Sequence, residues 1–186
     1  MLRENKVGIT GKRITTDVLR RIQCVHQFDE LKFLPVRASR VRQPHHVHTE
    51  LDWEVWPDAL RDILLWVTKR YGRIPLYVTE NGAAFFDPPT IDSAVEGAAL
   101  DDPLRVDYLR KHLRAVHEAI RQGADIRGYF AWSLLDNFEW AHGFSKRFGL
   151  VHVDYETLQR TPKASAHFYS QVVASNGAAL DEPAAH

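Results

Sequence analysis

Two short apolar runs rich in β-forming residues, residues 74–79 and 126–133, enclose a segment with helical periodicity. Pro103 suits the first turn of that helix, and Gly123 suits the left-handed residue that ends it. The apolar residues between them alternate spacings of three and four: Val106, Leu109, Leu113, Val116 and Ile120. Strand, helix and strand in this order predict a parallel β-α-β unit, so we expect an α/β fold.

Further helices are predicted on both sides of this unit. Pro57 opens one that ends before Gly72, with apolar residues at helical spacing: Leu60, Ile63, Leu64, Val67 and Tyr71. Thr161 and Pro162 predict the cap and first turn of a final helix that reaches about Val173.

The chain changes character near residue 50. Residues 1–50 are rich in Arg, His and Gln and have only scattered apolar residues, so we expect a divergent or irregular region there. Residues 51–174 carry the periodic elements, and residues 175–186 are expected to be a flexible tail.

The charge balance restricts the partners of this chain. Lys and Arg together number 24, as do Asp and Glu, so the formal net charge is zero. No basic field is available to bind nucleic acid or an anionic membrane, and no apolar run approaches the roughly 18 residues of a membrane span. Cys24 is the single cysteine and the first residues are not followed by an apolar signal core, which together favour a cytoplasmic protein.

Glu80 follows the first apolar run and precedes Asn81 and Gly82. Proteins of the α/β class place reacting groups at the carboxyl ends of parallel strands, so Glu80 is a candidate catalytic carboxylate. The alternative is structural, because Glu80 could cap the following turn or pair with a nearby arginine.

The second apolar run leads into residues 132–140, which combine two tryptophans, two carboxylates and an amide. Tryptophan faces stack on the C–H faces of sugars, and carboxylates and amides hydrogen-bond to hydroxyl groups. This mixture predicts a carbohydrate subsite. The alternative is an aromatic cluster that closes one end of a barrel.

Three motifs together resemble family 1 of the glycoside hydrolases, the β-glucosidase family. Residues 77–82 resemble its nucleophile motif, residues 131–151 resemble its sugar-binding stretch, and residues 53–57 are similar to the barrel segment before the nucleophile strand. The resemblance covers residues 50–174. It implies a partial TIM (β/α)8 barrel, because a complete one takes about 250 residues.

The resemblance also implies a function, that of a retaining β-glycosidase acting on β-linked glucosides or oligosaccharides without a cofactor. Glu80 would be the nucleophile and Trp132 the platform under the sugar. Trp53 would border the leaving group, with a plain core role as the alternative. The remaining members of the implied substrate-binding set are Asn81, Glu139, Trp140 and Phe148.

A retaining glycosidase needs a second carboxyl group about 5–5.5 Å from the nucleophile to act as acid and base. In this family it normally lies in an Asn-Glu-Pro motif, and this chain contains no Asn-Glu pair. Glu50, Glu54 and Glu96 are unassigned carboxylates that we expect to be solvated. We therefore expect little turnover by the chain alone.

Two other hypotheses remain open. The chain could be a non-catalytic carbohydrate-binding remnant, or a half-barrel completed by a complementary chain. Unpaired strand edges would also favour self-association.

Histidines at close spacing suggest one alternative site. His45, His46 and His48 could ligate a metal, but only Glu50 or Asp52 could complete the ligand set, so we expect no metal site. The later histidines, His112 among them, are expected on helix surfaces or at the rim of a pocket.

Overall fold

The computed structural model describes residues 42–86 and 100–181. Residues 1–41 of the predicted irregular region, Glu96, and residues 182–186 of the predicted tail lie outside the described residues.

The predicted β-α-β unit is confirmed. Helix α1 (Pro57–Tyr71) leads to strand β1 (Leu76–Asn81), and helix α2 (Pro103–Arg121) leads to strand β2 (Ile126–Ala131). The two strands pair in parallel, and within the described ranges they form a two-stranded sheet that does not close a barrel.

The limits of β1 differ from the prediction. Pro75 has no backbone N–H, so the ladder starts at Leu76, whose N–H donates to the Asp125 carbonyl at 2.8 Å. The strand then continues through Asn81. Glu80 therefore lies within the strand, one residue before its end, and not after it.

One face of this sheet packs on the two helices. Val78 is buried and joins a cluster whose other buried members are Leu60, Leu64, Val116, Ala119 and Ala124. Tyr77 and Phe130 are 56% and 57% exposed. The second face of the sheet is thus open and partly aromatic.

The predicted start of the final helix is wrong. Thr161 and Pro162 belong to strand β4 (Arg160–Pro162), which pairs antiparallel with β3 (Val151–Val153), and helix α3 starts later (Ala164–Ala174). The hairpin closes on Asp154, whose Oδ1 accepts the N–H groups of residues 156 and 157, both at 2.9 Å. Strands of three residues leave no periodic pattern, which explains the error.

The predicted flexible tail packs on the core as far as residue 180. A short 3-10 helix (Ala178–Leu180) follows α3, and Ala179 and Leu180 are each 6% exposed in the cluster that holds Leu109 and Phe168. The Arg110 guanidinium also donates to the Ala179 carbonyl at 3.3 Å. Residues 178–180 therefore pack on the core, within the segment predicted to be a flexible tail.

His112 is buried, not at a surface or rim. It is 3% exposed, its ring stacks on Tyr108 with centroids 3.9 Å apart, and its Nδ1 lies 2.8 Å from the Tyr108 carbonyl oxygen. Burial lowers the pKa of His112 to about 4, so the imidazole is neutral at pH 7.

Candidate active site

The fold brings Glu80 and Trp132 to the same end of the parallel sheet. Trp132 follows β2 directly, and its N–H donates to the Asn81 carbonyl at 2.9 Å. A Cβ at Gly82 would lie 1.7 Å from the Trp132 carbonyl oxygen, so only glycine permits this approach. Glu80 and Trp132 are both exposed. An exposed carboxylate and an exposed indole therefore lie at the carboxyl ends of two paired strands.

The Asn81 side chain faces the protein. Tyr129 Oη donates to Asn81 Oδ1 at 2.6 Å, and Asn81 Nδ2 donates to Tyr108 Oη at 3.2 Å. Burial raises the pKa of both tyrosines above the ordinary value, so both hydroxyl groups stay protonated near neutral pH. The substrate-binding role of Asn81 stays a prediction. Its amide is hydrogen-bonded to two tyrosines, which no sequence motif singled out.

The loop after Trp132 is folded back on the segment that precedes β3. Ser133 N–H donates to the Phe148 carbonyl at 3.2 Å, and Leu150 N–H donates to the Ser133 carbonyl at 2.8 Å. Asn137 Nδ2 donates to Ser133 Oγ at 3.0 Å. We call residues 132–150, between β2 and β3, the aromatic loop. These hydrogen bonds fix the course of its main chain.

Asp136 anchors this loop from inside. Its side chain is fully buried, with Arg147 Nη1 at 2.7 Å and Lys163 Nζ at 3.1 Å. Its Oδ1 also accepts the Gly149 N–H at 2.8 Å. Of the two carboxylates in residues 132–140, Asp136 is therefore structural, and Glu139 is the more exposed one.

The other predicted sugar contacts differ in accessibility. Trp140 lies in a 3-10 helix (Trp140–His142) and is 84% exposed, while Glu139 is half-buried. Phe148 is 3% exposed, and its ring lies 6.0 Å from that of half-buried Trp53. Phe148 therefore lies beneath the surface, packed against Trp53.

Glu50 is not solvated as expected. Its side chain is 8% exposed and pairs with Lys146 Nζ at 2.8 Å, and its N–H donates to the Ala84 carbonyl at 2.9 Å. Glu50 therefore ties the segment before α1 to the aromatic loop. Glu54 is only partly exposed because it contacts His46.

The described residues include no group of three or more His, Cys, Asp or Glu placed to hold a metal ion. His48 Nδ1 lies 2.8 Å from the His46 carbonyl oxygen, and the His46 ring contacts Glu54.

A groove of about 320 Å³ lies elsewhere, between α1 and α2. Its lining residues are Pro57, Asp58, Arg61, Lys111, Arg114, Ala115 and Glu118. None of them lies at the strand ends. The chemistry of the carboxylate and the indole places the candidate site at the open strand ends and not in this charged groove.

The family model described as glycosyl hydrolase family 1 matches residues 16–178. This chain belongs to glycosyl hydrolase family 1. The predicted family is confirmed, and the match also includes residues 16–49 and 175–178, which lie outside the predicted resemblance.

This chain matches only about 30% of the length of its relatives in family 1. A bifunctional β-D-glucosidase/β-D-fucosidase of Bifidobacterium breve is 49% identical over 132 residues, which is 70% of this chain and 28% of that protein. A 1,4-β-D-glucan glucohydrolase of Thermotoga neapolitana is 46% identical over 143 residues, 77% of this chain and 31% of that protein.

The fold comparison agrees. A family 1 β-glucosidase of Thermotoga maritima, solved with isofagomine lactam, superposes with a TM-score of 0.67 at 44% identity, covering 73% of this chain and 30% of that one. The predicted partial β/α barrel is confirmed. Among the described helices, none has the length and apolar character to cross a membrane.

Proposed function

We propose that this chain carries the nucleophile and sugar-binding part of a retaining β-glucosidase site, with Glu80 as the nucleophile. One observation carries the proposal. Glu80 is an exposed carboxylate near the carboxyl end of β1. The next residue, Asn81, accepts a main-chain hydrogen bond from Trp132, the first residue of the loop after β2. Barrel enzymes place catalytic groups at such strand ends.

The chemistry follows from this placement. Glu80 attacks the anomeric carbon, the bond to the leaving oxygen breaks, and an ester links the sugar to Glu80. Water then attacks the same carbon and releases the carboxylate. Trp132 offers its face to the sugar ring, and Glu139 accepts hydrogen bonds from sugar hydroxyl groups.

Protonation of the leaving oxygen requires an acid that we place outside this chain. Asp136 and Glu50, two carboxylates near the loop, are each already paired with a lysine or arginine. The β-D-glucosidase/β-D-fucosidase and the glucan glucohydrolase described above are each more than three times as long as the segment that matches this chain. We therefore propose slow hydrolysis of unactivated β-glucosides by this chain alone.

Trapping with an activated 2-deoxy-2-fluoroglucoside tests the nucleophile. A good leaving group needs little help from an acid, so we expect one covalent sugar per chain, located on Glu80 by peptide mapping. Glu80→Gln should abolish the label. Glu156→Gln, which changes an exposed glutamate in the β3–β4 turn, should not. A label that persists in Glu80→Gln contradicts the assignment.

A partner-dependent half-barrel is the second candidate, favoured by the open aromatic sheet face that bears Tyr77 and Phe130. Family strands supplied by another chain would cover that face. A folded sample that takes up no label alone, but is labelled when a chain with the acid/base half is added, would support it. Label in the isolated monomer would exclude this dependence.

A further inference from the structure

The side-chain amide of Asn81, the residue directly after Glu80, is held from two sides. Tyr129 Oη donates to its oxygen at 2.6 Å, and its nitrogen donates to Tyr108 Oη at 3.2 Å. We call Asn81, Tyr108 and Tyr129 the amide clamp. The two tyrosines come from different elements, α2 and β2, so the clamp ties the end of β1 to both.

The clamp is rigid on the α2 side. Tyr108 is 8% exposed, and His112 stacks on its ring with centroids 3.9 Å apart. Phe85 lies edge-on to the same ring at 6.3 Å. A buried phenol packed against two rings has few alternative positions, so its hydroxyl is a fixed acceptor for Asn81.

The main chain of Asn81 links the clamp to the sugar platform. Its carbonyl accepts the Trp132 N–H at 2.9 Å, and Gly82 leaves no room for a side chain against the Trp132 carbonyl. A rotation of Asn81 would therefore displace its neighbour Glu80 and Trp132 relative to each other.

We infer that the amide clamp is a positioning device that fixes Glu80 relative to Trp132, a role that rests on the proposed function of Glu80. In this inference the side chains of the three residues bond to one another and not to the sugar or the reacting carbon. They act through the orientation of the residues at the ends of β1 and β2. Small misplacements of a reacting group lower rates much more than they lower ground-state binding.

The test separates the limiting rate of fluoroglucoside labelling from the dissociation constant of the sugar. In Tyr129→Phe we expect the rate to fall about ten-fold and the dissociation constant to stay within about two-fold, because Asn81 loses its fixed orientation. Tyr108→Phe should act in the same direction. Equal changes in binding and rate, or an unchanged rate, would overturn the inference.

Tyr169→Phe is the matched control. The Tyr169 hydroxyl donates to the main-chain oxygen of Tyr129 at 3.2 Å and not to the Asn81 amide. This variant loses a comparable hydrogen bond in the same region, so we expect a labelling rate within about two-fold of the wild type. A loss as large as that of Tyr129→Phe would mean that general stability, not the clamp, sets the rate.

A second readout does not depend on reactivity. NMR of the Glu80 carboxyl carbon and the Trp132 indole N–H should show shifted signals in Tyr129→Phe and unshifted ones in Tyr169→Phe. If the wild type takes no label but these signals shift as expected, the proposed function fails and the clamp stands. If Tyr129→Phe does not fold, Tyr108→Phe supplies both measurements. Unshifted signals in a folded clamp variant overturn the inference.

Discussion

Asp136→Ala is expected to lower the free energy of unfolding by about 3–5 kcal/mol, the usual cost of removing one partner of a buried ion pair. The Asp136 side chain is fully buried between Arg147 and Lys163, and Lys163 is itself fully buried. The substitution also removes the acceptor of the Gly149 N–H. The remaining positive charges would lose the carboxylate that offsets their desolvation.

Urea denaturation followed by tryptophan fluorescence measures this loss. Asp125→Ala is the control, because Asp125 pairs with Arg127 at 3.0 Å on the surface, and such solvent-screened pairs contribute little to stability. If both variants lose a similar amount of unfolding free energy, the buried position of Asp136 does not make its ion pairs more stabilising than a surface pair.

His112 is expected to make the folded chain sensitive to acid. Its pKa is lowered to about 4 by burial, from an ordinary value of 6.5. Below pH 6.5 the unfolded chain therefore binds a proton that the folded chain does not, so stability falls as pH falls. Between pH 6.5 and 4 this group should remove roughly 3 kcal/mol of the free energy of unfolding.

The comparison of two histidine variants isolates this effect. His112→Gln removes the titrating imidazole, so its free energy of unfolding should fall less steeply between pH 6.5 and 4 than that of the wild type. His117→Gln changes an exposed histidine of the same helix and should keep the wild-type slope. If the free energy of unfolding falls equally steeply with pH in His112→Gln and the wild type, His112 is not the source of the acid sensitivity.

The elements that sequence analysis predicted correctly are those with strong local signals. Helix α2 has an apolar stripe, a proline in its first turn and Gly123 with φ of 100° after it. Parallel pairing of the two apolar runs followed from the helix between them. That pairing is also what brings Glu80 near Trp132, so the core of the candidate site was predictable.

Contacts between distant segments were not predictable. Glu50 and Lys146 are 96 residues apart, and no local pattern reveals their pairing. Asp136 and Glu139 look equivalent in sequence, yet it is Asp136 that pairs with a buried lysine and a half-buried arginine. The role of a carboxylate depends on the charges that the fold places around it, and these neighbours cannot be predicted from composition.

Product analysis with 2,4-dinitrophenyl β-glucoside, with and without sodium azide, tests most directly whether Glu80 works as one half of a retaining pair. The phenolate leaves without a proton, so Glu80 alone can form the ester. Azide needs no base; it attacks the anomeric carbon and releases the carboxylate. We expect β-glucosyl azide and a turnover raised at least about ten-fold by azide. Release of glucose alone at a rate that azide leaves unchanged would contradict the assignment of Glu80 as a nucleophile that lacks its acid/base partner.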